Sequence, residues 1–325
     1  MALPAELGSL PGFAGIDACT VLRGERPGAS VQLDDTYFEG QLLALDGVDG
    51  TAAEKRRSIL RNSRDLYDDI HIDIGELTER SLLEASERYW RTLRQVPEIT
   101  YLEQNFPETV TVAPEWLRIG GELKYGARVY FFGPDGPDAL TVVRKNVEAV
   151  LADEPATFER YQGGLHGYPD CCVDFFHERD AETAPEWRSV EPYADRVDDA
   201  ALERGPDARL DDIVAGLDDA FATGDGEDFP VESFFAREFF PEPGCERARE
   251  RGRRVRDCLT DVFPDALVRD YFGLAFGFSY LSATAVREGG DRRPSPGAFG
   301  REHRLFYLPL GYLQRLDQYG SAERT

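Results

Sequence analysis

The sequence predicts an α+β protein, with a mixed helix and antiparallel-strand region over residues 1–150 and a mainly helical, cysteine-bearing region over 151–325. Apolar residues recur at helical spacing between 51 and 95, which marks two amphipathic helices. Short β-branched and aromatic runs crowd 98–143. Beyond Arg144 the strand signal fades and helical patterns take over.

In chain order, the first 50 residues are rich in Gly and Pro, with short apolar runs at 16–22 and 30–33 read as strands. Asp46-Gly-Val-Asp-Gly50 is a turn-rich break. Ile59, Leu60, Leu66, Tyr67 and Ile70 then predict a helix beginning at Thr51. A second helix, over about 76–95, carries the stripe Leu82, Leu83, Ser86, Tyr89, Trp90 and Leu93, and Pro97 ends it. Strands are predicted at 99–102, 109–113, 128–132 and 139–143, the last two joined as a hairpin by Gly133-Pro-Asp-Gly-Pro-Asp138. Residues 180–228 read as an acidic, loop-rich surface excursion with one amphipathic piece at 208–221. The apolar window 271–286 reads as a buried helix or strand pair, 292–300 as a linker, and 303–316 as a segment that docks on the body.

Composition bounds the function. The chain has 325 residues, 61 Asp and Glu against 37 Lys and Arg, and a formal charge of −24. Its only lysines are Lys55, Lys124 and Lys145. So acidic and lysine-poor a surface suits concentrated salt, where screening blunts the repulsion between carboxylates. The expectation is a halophilic, archaeal, cytoplasmic protein. The charge argues against bulk binding to nucleic acid or to an anionic membrane. The N-terminus lacks the basic and apolar regions of a signal peptide, and no apolar run reaches the roughly 18 residues that span a bilayer. Five cysteines are too few, and odd in number, for a disulfide framework.

The cysteines are unevenly placed. The segment Gly163-Gly-Leu-His-Gly-Tyr-Pro-Asp-Cys-Cys-Val-Asp-Phe-Phe-His177 reads as loop, cap and helix, with Cys171 and Cys172 in the first turn. Orphan N–H groups there favour a thiolate, and Asp170 and Asp174 oppose it. His177 lies six residues past Cys171, about 240° around a helix, and points away. His166, on the glycine-rich stretch, is the preferred local partner. The second element, Phe239-Phe-Pro-Glu-Pro-Gly-Cys245, again sets Pro and Gly before a cysteine at a helix start. If the two starts converge, Cys171, Cys172 and Cys245, with His166 as a fourth ligand, make a tetrahedral zinc site. An open fourth position would suit catalysis or an iron–sulfur cluster. Two other readings stand beside the metal: redox or nucleophilic thiol chemistry, and simple packing beneath the helix starts in an interaction or regulatory protein. Cys258, about 220° round from Cys245, aligns with Val255, Leu259 and Val262 as core.

On these two elements the chain resembles an archaeal protein family of unknown function with a Gly-Tyr-Pro-x-Cys-Cys signature and a downstream Pro-x-Cys. The likeness covers about the second half of the chain. Similar proteins often carry another cysteine four residues after the downstream one, where this sequence has Arg249. The resemblance implies a site and no reaction.

Arg247, Arg249, Arg251, Arg253, Arg254 and Arg256 form a basic run beside Cys245. It reads either as a local anion contact at Arg247, Arg251 and Arg254 or as a solvated face paired with carboxylates such as Glu246, Glu250 and Asp257. His71 and Asp73, alternating with isoleucines, read as a polar strand face able to bind a cation or as an exposed edge. Phosphate-loop, dinucleotide, nucleophile-elbow and zinc-protease motifs are absent from the sequence.

Overall fold

The computed structural model describes residues 5–119, 122–178, 183–197, 231–287 and 306–315. They contain twelve α-helices and one three-stranded antiparallel sheet, an α+β fold. Predicted features at 198–228, including the amphipathic piece at 208–221, and the linker at 292–300 lie outside the described residues. The chain divides into two compact units, Met1–Leu7 with Arg26–Gly167, and Gly8–Glu25 with Tyr168–Thr325.

The stretch predicted as a strand at 16–22 belongs to a helix of the second unit, α1 (Gly12–Leu22). Its residues Gly12 to Val21 are all buried. A helix enclosed on every side has no polar face, so its sequence shows no 3.6-residue period and imitates a buried strand.

The first unit is built on β1 (Gly28–Leu33), followed by α2 (Asp35–Ala44), α3 (Thr51–Asp68), α4 (Glu79–Leu93) and α5 (Pro97–Asn105). The predicted strand at 99–102 is therefore helical. α4 already stops at Leu93, capped by Arg94, and Pro97 instead opens α5, where its missing N–H is no loss. Next come β2 (Val110–Ile119) and β3 (Glu122–Phe132), then α6 (Ala139–Ala152) and α7 (Pro155–Leu165). The sheet order is β1-β3-β2, with Val31 opposite Val129 and Trp116 opposite Tyr125. The hairpin predicted between 128–132 and 139–143 is thus corrected: β3 pairs with β2, and residues 139–143 start α6. Asp138 explains the difference, since its carboxylate accepts the Thr141 N–H at 2.7 Å and caps that helix.

Two polar devices hold this unit. Asn146 on α6 clasps the edge of β2: its Oδ1 accepts the Trp116 N–H at 2.7 Å, and its Nδ2 donates to the Trp116 carbonyl at 3.0 Å. Beneath α2 and α3, the Arg56 guanidinium grips the fully buried Glu98 through both carboxylate oxygens, Nη2 to Oε1 at 2.7 Å. The Tyr37 hydroxyl donates to the same carboxylate at 2.6 Å. Burial opposes the charge on Arg56, but the charge and hydrogen bond of Glu98, with Tyr37 and Tyr101, together raise the guanidinium's pKa. The segment holding His71 and Asp73 is not a strand. Its side chains do alternate, His71 and Asp73 exposed and Ile72 and Ile74 half-buried. Its backbone is held instead by the Tyr125 hydroxyl, which donates to the Ile70 carbonyl and accepts the Ile72 N–H.

In the second unit α1 is joined by α8 (Asp170–Phe176), α9 (Pro185–Val190), α10 (Glu246–Thr260), α11 (Asp265–Arg287) and α12 (Leu310–Arg315). The window predicted as buried is the middle of α11, with every residue from Tyr271 to Thr284 enclosed. Part of the predicted surface excursion is also core, because Trp187 and Val190 of α9 are buried. Residues 306–315 dock on α1: the Leu308 carbonyl accepts the Gly12 N–H, and the Leu310 N–H reaches the Leu10 carbonyl, both at 2.8 Å. Arg237 seals this contact, donating to the Tyr307 hydroxyl at 3.0 Å and lying 4.1 Å from the Phe13 ring centre. Among the described residues, no helix is long and apolar enough to cross a membrane.

Candidate metal centre

The first arm of the site leaves α7 at His166, turns at Gly167 with φ +72°, and enters α8 through Pro169. A positive φ is cheap only for glycine, which suits Gly167 to this turn. Pro169 stands at the cap position, where its carbonyl accepts the Cys172 N–H at 2.9 Å. Both adjacent cysteines therefore sit in the first turn, as the sequence predicts.

The second arm runs from Phe239 to Gly244, whose φ is +73°, and delivers Cys245 to the cap position of α10. The Cys245 N–H closes a turn on the Glu242 carbonyl at 3.1 Å. Aromatic pairs lock the arms together. Tyr168 stacks on Phe239 at 4.3 Å, and Phe176 on Phe240 at 5.9 Å. Ser189 adds a hydrogen bond to the Pro241 carbonyl at 2.7 Å. Each cysteine is thus flanked by rings that face rings of the other arm, and this brings together thiols 74 residues apart.

The sulfur atoms of Cys171, Cys172 and Cys245 all lie within 4.8 Å of one another. Those of Cys171 and Cys245 are 3.2 Å apart, and both residues are half-buried. Cys172 is only 1% exposed, and its sulfur accepts the Glu242 N–H at 3.4 Å. Burial, then the neighbouring Cys245, pushes the Cys171 thiol up. Burial raises Cys172 further, eased by the Glu242 N–H. Both shifts favour neutral thiols in the absence of a countercharge. A cation held by the three sulfurs would favour the thiolates instead, since its charge would balance theirs.

His166 belongs to the first unit, where its ring lies against Tyr130 with centroids 6.2 Å apart and its carbonyl faces Arg26 Nε at 3.5 Å. His177 caps the C-terminal end of α8, its ring edge-on to Phe176. Cys258 is buried on α10 beside Val255 and Leu259, as expected of core. In the arginine run, Arg247 is exposed. Arg251 Nη1 donates to the Glu25 carbonyl at 2.9 Å, and Arg254 Nε lies 3.7 Å from the Glu25 carboxylate. Arg256 pairs with Glu232 at 2.5 Å. These carboxylates come from distant segments, not from α10 itself.

Sequence reasoning missed the Glu242 N–H and the two ring pairs. The signal was available in Tyr168, Phe176 and Phe239-Phe240, which set aromatic rings beside the two thiol-bearing turns. No family model, curated protein or solved structure matches the chain.

Proposed function

We propose that this is a metal-binding protein in which Cys171, Cys172 and Cys245 hold one thiophilic ion, zinc being the best fit. The observation that carries the reading is the mutual approach of three sulfurs within 4.8 Å. A zinc ion 2.3 Å from each sulfur in a tetrahedral array sets the sulfurs about 3.8 Å apart, between the shortest separation of 3.2 Å and the outer 4.8 Å. An iron–sulfur cubane fits less well, because it places each thiolate on a different iron and spreads the ligands.

With three protein sulfurs, the fourth position is left to solvent or an added ligand, the pattern of a reactive rather than a closed zinc site. The ion also staples α8 to the start of α10, so it contributes to folding whatever else it does. The acid-rich, lysine-poor composition supports a salt-rich archaeal cytoplasm as the setting. The rival reading, thiols as packing, suits the burial of Cys172. It does not account for two half-buried thiols meeting at 3.2 Å.

The test is metal analysis of the untagged chain purified under reducing conditions in high salt. One equivalent of metal is expected, lost in Cys171→Ser and in Cys245→Ser, and the cobalt-substituted protein should show thiolate-to-metal charge-transfer absorption. Metal-free wild-type protein that takes up neither zinc nor cobalt refutes the reading.

A further inference from the structure

We infer that Cys171 and Cys245 form an oxidation-sensitive pair: a small hydroperoxide joins them in a disulfide, and the ion held by the three thiols is released. The release rests on the metal reading above; the pairing does not. Three thiols allow three disulfides, and the geometry selects one. Cys171 and Cys245 are in sulfur contact at 3.2 Å, so bond formation needs a closure of only about 1.1 Å. Both are half-buried and within reach of a small oxidant. Cys172 is enclosed, its sulfur engaged by the Glu242 N–H. A Cys171–Cys172 bond would moreover have to bridge adjacent residues inside the first turn of α8, where neighbouring side chains diverge by about 100°.

The chemistry balances with the hydroperoxide as oxidant. One thiolate of the pair attacks the terminal peroxide oxygen, breaking the O–O bond and giving a sulfenic acid and an alkoxide, or hydroxide from hydrogen peroxide. The second sulfur then displaces the sulfenic oxygen, forming the S–S bond and releasing water. Two thiols are oxidised by two electrons and one peroxide is reduced. Cys172 alone cannot hold the ion, so metal and disulfide exclude each other.

The experiment uses the full chain loaded with zinc, freed of reductant and titrated with hydrogen peroxide. Zinc release is followed with a chromophoric chelator, and cysteine pairing is mapped by mass spectrometry. Two of the five thiols should disappear for each zinc released, with the cross-link between Cys171 and Cys245. Cys172→Ser should retain that cross-link. A disulfide through Cys172, oxidation without any cross-link, or zinc that stays bound once the pair is oxidised overturns the inference. A protein that holds no zinc beforehand yet still forms the Cys171–Cys245 bond refutes the metal reading and leaves the pair standing. Pairing is mapped in the unaltered chain, so the outcome does not depend on any variant folding.

Discussion

Gly252, in the middle of α10, is where two opposing effects can be weighed by magnitude. By helix propensity alone, alanine there should stabilise the protein by about 1 kcal/mol. The structure says otherwise. A Cβ at residue 252 would lie 1.7 Å from the Glu232 carbonyl oxygen and 2.5 Å from its carbon, where ordinary contact begins near 3.4 Å. The obstacle is backbone, in the 3₁₀ turn Val231–Ser233, so no side chain can swing aside. Either the turn or α10 must shift by well over an ångström, also disturbing the Arg256–Glu232 ion pair. Overpacking of this kind costs about 1–3 kcal/mol, and rigid backbone puts it near or above the upper end. The expected result for Gly252→Ala is a net loss of about 1–2 kcal/mol, read from the denaturation midpoint at unchanged m-value. Because Cys245 caps the same helix, zinc affinity should fall as well. A variant as stable as the parent, with unaltered zinc binding, would show that α10 does not press on Glu232 and would refute the reasoning.

Three further outcomes are expected. Glu98→Ala should lose about 3–5 kcal/mol in equilibrium denaturation, because it strands the Arg56 charge in the core. Asn146→Ala should cost about 2–3 kcal/mol and speed hydrogen exchange at the Trp116 amide, which loses its acceptor while the carbonyl loses its donor. Cys19 makes stability depend on pH: burial, reinforced by Cys258, raises its thiol from 9.0 to about 12. Its contribution is complete below pH 9, where folded and unfolded chains both keep the proton. It declines as pH rises toward 12, because only the unfolded chain ionises there, at a slope of at most about 1.4 kcal/mol per pH unit. Cys19→Ala should flatten that part of the stability profile, and an unchanged slope would count against the shift.

The legible parts of the fold were those with a face. α4 announces itself because Leu82, Ser86, Tyr89 and Leu93 form a buried stripe against an otherwise polar helix. α1 does not, since every position from Gly12 to Val21 is enclosed. Residues 139–143 look like a strand because Val142 and Val143 are β-branched. The deciding signal was Asp138, three residues before Thr141, a cap that outweighs β-propensity. At the site, helix-start chemistry around Pro169 and Gly244 put each of the three thiols at a helix start, while their convergence comes from tertiary packing. His166 lies five residues before Cys171 yet belongs to the other compact unit, which chain proximity does not reveal. Glu25 and Glu232 were likewise out of reach as arginine partners, because tertiary packing alone brings them to α10.

The clasp between the Leu10–Gly12 stretch and residues 308–310 has a temporal side. Residues 26–167 are continuous and can complete their unit as soon as they leave the ribosome. Residues 8–25 leave earlier but finish later. Leu308 and Leu310, which close on Gly12 and Leu10, follow them by about 300 residues, roughly 15–60 s at ordinary elongation rates. α1 is covered in stages, first by Arg237 and α10 and last by residues 306–315. A delay late in translation would therefore lengthen the time for which the side of α1 that meets residues 306–315 stays open.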